Sequence, residues 1–520
     1  MKRRQYLKTL GAASVVSTHG FIENFTLRTP DGVSPLVESG HRFFRWSVPS
    51  DDVIMRFGNP SWILELDGDR EESLEEWSER DEGRELIAFD RGAEGGDWDE
   101  DDGWALALIS CPYTAAESLI TKTWVTHIDL DFEAEYAEPV SPLGGEWVSF
   151  GEDFGVFESF RVNERHLDNG LAFNDDMEEG TMGDVLDVTD ALDEDGSGYT
   201  VAVIDTGLNQ VDEEDDDNDQ LFGDRVLSES WNAIDDTTLE EDSDAIVDGN
   251  GHGTFVTAQI ASGAPDPYQG YVPGADILAI KALSDDGSGE VYNIARAIRY
   301  AADEGADVVC LSLGSSIHSD AVDRAVSYAL GADTLSIAAA GNDRGGTRWV
   351  AHPANAPDAI TVSAGTIDEP EEAKVGYFSN HGPHPGTTDM SSGATVDASP
   401  DIVAPGCEIE TETVDTVGNV DTSTLTGTSM AAPCVAGAAI QVMASEGLEE
   451  PDEIREKVLA GAEMEAAGDT EDGGNGMLNV ANSVDEDESG GSSTDTNADS
   501  RDVAHNRLSN AQGRRLAGFL

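Results

Sequence analysis

The feature that most limits how this chain of 520 residues can fold is a regular alternation between positions 199 and 444. Tyr199-Thr-Val-Ala-Val-Ile204 and Ala275-Asp-Ile-Leu-Ala-Ile-Lys-Ala282 are largely apolar and rich in β-branched residues. That is the pattern of a strand covered on both faces. Residues 291–304 follow a helical period, with Ile294, Ala297, Ile298 and Ala301 on one face. Residues 307–312 return as a strand, 320–330 as a helix, and 335–339 and 359–364 as strands. A helix of small residues over 430–444 closes the series. Strands and helices in this order predict an α/β domain, a mainly parallel sheet with helices on both faces.

Residues 55–137 carry a different rhythm. Residues 62–66, 85–89, 104–109 and 124–130 read as strands, and 71–82 and 115–122 as helices, the first stopped by Gly83. The order βαββαβ is that of an α+β, ferredoxin-like sandwich. Domain boundaries follow: an export signal over 1–25, the α+β region over 40–140, a linker over 141–185, the large α/β domain over 186–482, and a disordered acidic tail over 483–520. The signal reading rests on Arg3 and Arg4 before Tyr6-Leu-Lys8 and a short apolar stretch, a twin-arginine pattern that points to secretion.

Charge narrows the partners. The chain holds 105 Asp and Glu against 29 Lys and Arg, a net charge of −76, which argues against nucleic acid and anionic membranes. Six of those 29 are Lys. Acidic residues run the whole length, which reads either as a solubilising surface or, the favoured reading, as adaptation to molar salt, where a Debye length of about 3 Å screens self-repulsion. No run of 18 apolar residues occurs, so no membrane span is expected. Cys111, Cys310, Cys407 and Cys434 form no CxxC pair, which argues against zinc. Buried thiols are the default reading, with one bridge left open.

Three short segments carry chemistry. Asp205 ends a strand in Val203-Ile-Asp-Thr-Gly207, at the edge where open α/β sheets bind ligands. His252 lies between glycines in Asn250-Gly-His-Gly-Thr254. Ser429, in Gly427-Thr-Ser-Met-Ala-Ala-Pro433, enters a helix where unpaired N–H groups and the dipole favour negative charge. Taken singly, these read as a turn aspartate, a structural histidine and an N-cap serine. Together, and in this order, they resemble the subtilisin-like (subtilase) serine peptidases, from about residue 199 to 481.

The resemblance implies a subtilisin-like three-layer fold and a secreted serine endopeptidase acting on proteins and peptides. It implies Asp205, His252 and Ser429 as a catalytic triad, Asn342 of Ala339-Ala-Gly-Asn342 as an oxyanion donor, and Ser312, Leu313 and Gly314 as the strand that binds substrate. Tyr377-Phe-Ser-Asn380 and Val403-Ala-Pro-Gly406 look like further family landmarks. No cofactor is required for such chemistry, and structural calcium is compatible with it, although the sequence identifies no ligands. The acidic run 212–217 lacks a calcium-loop pattern. The α+β region would be an intramolecular propeptide, with a permanent accessory domain as the alternative. Phe255 and Cys434 stand where the family commonly has histidines, so retuned packing and a sensitivity to thiol reagents are expected. A catalytically silent subtilase acting as a binding or assembly module is the competing function.

Overall fold

The computed structural model describes residues 61–136 and 171–484, apart from internal segments of which 92–104, 211–220 and 382–398 are the longest. The expected export signal, the acidic run 212–217 and nearly all of the expected tail lie outside the described residues.

The α+β region is built as its rhythm predicts. Strands β1 (Ser61–Leu66), β2 (Glu85–Arg91), β3 (Ala105–Ser110) and β4 (Val125–Leu130) form a sheet in the order β2-β3-β1-β4. β1 runs antiparallel to both β3 and β4. Trp62, Leu64 and Leu66 alternate toward Leu74 and Trp77 of helix α1 (Glu71–Ser78) and toward Ala115, Ala116 and Leu119. Those last three are what the structure describes of the core face of the expected second helix. Helix α1 stops at Ser78 rather than at 82, and its last turn has no basic residue to answer the dipole. Ile63 and Leu106 point the other way, into a core shared with the large domain.

Beyond β4, β5 (Glu133–Tyr136) leaves the small sheet and joins the large domain. That domain begins earlier than the expected boundary. β6 (Leu171–Ala172), β7 (Gly180–Thr181) and α2 (Met182–Val188) fall largely within the stretch read as a linker, yet all three pack into it. Its sheet centres on β8 (Thr200–Asp205), parallel to β11 (Asp276–Lys281) on one side and to β13 (Val308–Leu311) on the other. β9 (Trp231–Asn232) and β10 (Thr237–Thr238) extend the β11 side. β15 (Leu335–Ala339), β16 (Ala359–Gly365), β17 (Val375–Gly376) and β6 extend the β13 side, with β18 (Ile402–Pro405) also parallel to β16.

Both faces of this sheet are covered, which is why its strands read as apolar runs. Val201 and Val203 face one core, with α3 (His252–Ala261) and α6 (Thr428–Glu446). Ala202 and Ile204 face the other, with α4 (Val291–Asp303) and α5 (Asp320–Gly331). Sequence reasoning read no helix at α3. All ten of its residues are buried, so it shows no amphipathic period. α6 is long and apolar enough to cross a membrane by length and composition, but it is a buried core helix here. The hairpin of β19 (Ile409–Val414) and β20 (Val420–Leu425) leads into it.

Four carboxylates seat the small domain on α4 and α5. Glu65 accepts from Arg299 at 3.1 Å and pairs with Arg324, while Arg296 pairs with Asp90. Asp129 accepts from Ser319 Oγ at 2.8 Å and from the Ala321 N–H at 3.3 Å, at the start of α5. Asp131 accepts from the Tyr292 N–H at 3.2 Å, at the start of α4. Two aspartates of one domain thus cap two helices of the other. Finally β5 runs antiparallel between β12 (Ser288–Glu290) and β14 (Leu313–Gly314), in register Gly289 with Ala134 and Leu313 with Tyr136.

Candidate active site

The strand order turns back at β8, so its C-terminal end opens onto a crevice, and Asp205 stands there. The loop beyond it must be thin. Gly207 has φ +122°, and a Cβ there would lie 2.3 Å from the Ile246 carbonyl. Gly253, in the first turn of α3, approaches so closely that its own Cβ would lie 2.3 Å from the Gly207 carbonyl. Both glycines are needed to bring α3 down onto the end of β8.

The start of α3 is fixed by one buried carboxylate. Asp248 accepts from the N–H groups of Asn250, Gly251 and Thr254 and from Thr254 Oγ1, over 2.7–3.1 Å. It does the work of a side-chain N-cap, because Gly251 at the cap has none. His252, the first residue of the helix, then meets Asp205, with Nδ1 and Oδ1 2.8 Å apart and both side chains buried. Asp205 Oδ1 also accepts from the Thr206 N–H at 2.7 Å. Burial of this pair makes the hydrogen bond strong and holds the ring in one orientation.

Lys281 ties the two loops together. Lys281 lies beside Asp205 in register across β11 and β8. Its ammonium is buried, donating to the Thr206 carbonyl and to Asp285 Oδ1. Asp285 in turn accepts from the Gly249 N–H and the Asn250 side chain, just before His252. The Lys281 pair holds the bared carboxyl of Asp285 below its ordinary range, its hydrogen bond outweighing partial burial.

Ser429 is the second residue of α6, fully buried, with its helix packed against α3. Gln259 of α3 reaches the neighbouring Met430 carbonyl at 2.9 Å. The amide of Asn342 is oriented by Thr428, whose N–H and Oγ1 both donate to Asn342 Oδ1 at 2.9 Å. That leaves the amide nitrogen directed away from Thr428. Thr428 Oγ1 also accepts from the Gly341 N–H at 3.0 Å. Ser312 joins β13 to β14 and reaches Ser429, while Leu313 and Gly314 are paired to β5. Of the landmarks, Asn380 donates its N–H to the Gly341 carbonyl at 2.8 Å, and 402–405 form β18.

The geometry therefore brings Asp205 and His252 into contact, and gathers Ser312, Asn342 and Ser429 around the start of α6. Thr428, Asp248 and Lys281 escaped sequence reasoning. A Thr beside the Ser motif and an Asp four residues before the His were visible signals; the reach of Lys281 was not.

Phe255 and Cys434 are buried, as are all four cysteines, each a free thiol. Burial pushes the Cys434 thiol up to about 12, and its Sγ donates to the Met430 carbonyl. Burial and a raised pKa both disfavour the reactive thiolate, which argues against the expected sensitivity to thiol reagents. Among the described residues no group of three or more His, Cys, Asp or Glu could hold a metal ion.

Residues 196–513 match the family model described as the Subtilase family. A thermophilic serine proteinase of Bacillus sp. (strain AK1) is 34% identical over 253 residues, 48% of this chain and 53% of that protein. Thermitase of Thermoactinomyces vulgaris is 31% identical over 255 residues, 48% of this chain and 77% of thermitase. The chain thus spans about half the length of the first relative and about three-quarters of the second. Among solved structures, fervidolysin from Fervidobacterium pennivorans, a keratinolytic enzyme related to subtilisin, aligns with a TM-score of 0.57 at 19% identity. The alignment covers 82% of this chain and 60% of fervidolysin, a likeness of fold.

Proposed function

The chain belongs to the subtilase family, and from that premise we propose that it is a secreted serine endopeptidase that hydrolyses proteins through Asp205, His252 and Ser429. The observation that carries the reading is the buried 2.8 Å contact between His252 Nδ1 and Asp205 Oδ1, with Ser429 at the N-terminus of the helix packed against α3. His252 takes the Ser429 proton as the hydroxyl attacks the scissile carbonyl, then returns it to the leaving amine. Asp205 keeps the ring in the useful tautomer and stabilises its cation. The Asn342 amide and the Ser429 N–H receive the oxyanion, and water releases the acyl group from Ser429.

Substrate lies as an extended strand against Leu313 and Gly314, and is read mostly through its backbone. The small domain fits the role of a propeptide, because β5 fills that strand position between β12 and β14. Export by a twin-arginine signal and adaptation to high salt complete the proposal, the latter supported by the net charge of −76.

The test is casein hydrolysis in about 3 M salt, comparing wild type with Ser429→Ala and with a serine-directed phosphonylating reagent. Loss of activity in both supports the assignment. Hydrolysis that survives Ser429→Ala would sink it, and an inactive, folded and processed wild type would favour a silent binding module. Asn342→Ala should lower kcat by about 10²–10³ with KM little changed. The propeptide reading requires wild type to yield a species shorter than the Ser429→Ala chain by about the small domain.

A further inference from the structure

The helix that carries Ser429 holds a proline about one turn beyond that residue. Pro433 lies inside α6, four positions after Ser429. A proline there offers no N–H to the carbonyl four residues back, and its ring pushes that carbonyl off the helix axis. The carbonyl concerned is that of Ser429, in a residue with no exposure. A buried carbonyl that loses its helical N–H is satisfied by a donor from elsewhere.

A donor comes from another element. Ser312 Oγ donates to the Ser429 carbonyl at 2.9 Å, across 117 positions of sequence. In return, Ser429 Oγ donates to the Ser312 carbonyl at 3.3 Å. Ser312 is itself fully buried, and the two residues after it form β14, the strand paired to β5. The reciprocal pair joins the residue proposed as nucleophile to the strand proposed to hold substrate.

We propose that Ser312 is a positioning residue: its hydroxyl replaces the hydrogen bond that Pro433 removes, and so aims the Ser429 side chain. The inference rests on the assignment of Ser429 as nucleophile. Fixing the peptide after Ser429 fixes the backbone torsion at its Cα, and with it the direction of Oγ. A strand that shifts when substrate binds moves the same donor, so occupancy of β14 is felt at Ser429 through one hydrogen bond.

If Ser312 mattered only as a small buried residue, its effect would not depend on residue 433. Pro433→Ala supplies an N–H to the Ser429 carbonyl and makes the Ser312 hydroxyl redundant. The experiment compares wild type, Ser312→Ala, Pro433→Ala and the double variant, with kcat and KM measured on a chromogenic peptide in molar salt. Ser312→Ala should lower kcat about tenfold, the effect of one lost hydrogen bond to a buried acceptor, with KM within about twofold. In the Pro433→Ala background the same change should alter kcat by less than about twofold. Equal losses in both backgrounds would overturn the inference, as would an unchanged kcat in Ser312→Ala. Should Ser312→Ala fail to accumulate, Ser312→Cys, a weaker donor of similar size, gives the same comparison. Wild-type hydrolysis that does not need Ser429 would instead remove the nucleophile assignment beneath it.

Discussion

The two domains are both mixtures of strands and helices, but they complete themselves differently. In the large domain both faces of the sheet are covered by its own helices, with Val201 and Val203 toward one layer and Ala202 and Ile204 toward the other. In the small domain one face is covered by α1 and by Ala115, Ala116 and Leu119. The other face, with Ile63 and Leu106, is closed by α4 and α5 of the large domain. The small domain therefore relies on its neighbour to cover that second face. The converse does not hold, since the large sheet lacks no cover.

The largest expected effect separates chemistry from seating. Ser429→Ala should cost at least about 10⁴ in kcat/KM while leaving the small domain in place, as judged by activity and by mass. Next comes the seating itself. Arg299→Met leaves the part-buried Glu65 with Arg324 alone, and the loss of one charged hydrogen bond should destabilise the docked domain by about 1.5–3 kcal/mol. Calorimetry should then show an earlier transition for the small domain and an unchanged one for the large. A single transition, shifted as a whole, would break the comparison.

A smaller effect concerns pH, with two carboxyls acting in opposite directions. Burial would raise Glu65, but Arg299 and Arg324 outweigh it and hold it below the ordinary carboxylate range. Its contribution to docking is present above that range and is lost as pH falls through the depressed value. Asp131 is pushed well above the range, first by burial and then by the charge of Glu290. Ionising it in the docked state is unfavourable, so docking weakens as pH rises toward the raised value. Retention of the small domain should peak between the two limbs, and Asp131→Asn should remove the upper one. A profile with no upper limb in wild type would contradict this. The smallest effect is at Cys434, where a thiol reagent should change activity by less than about twofold in the folded enzyme.

The central strands of the large domain were legible, and its exceptions are instructive. β8, β11, β13, β15 and β16 were all readable, because strands buried on both faces must be apolar throughout. α3 was not, for the same reason applied to a helix: ten buried residues leave no polar face to set a period. β5 was missed because its partners, β12 and β14, lie more than 150 residues away and nothing local marks it as a strand. The early part of the body was read as linker because β6 and β7 are two residues each, too short for any period.

Asp205, His252 and Ser429 could be singled out from the chain because each stands in a short motif whose glycines or small residues record a local constraint. Gly207 and Gly253 mark places where backbone comes close. The arrangement around them was decided by contacts between distant segments. Lys281 binding Thr206, Thr428 orienting Asn342, and Ser312 supplying the donor that Pro433 withholds are pairings across 75, 86 and 117 positions. Local sequence states which groups are present and which backbone angles are allowed. Which buried acceptor meets which donor is settled only when the packed layers bring them within about 3 Å of each other.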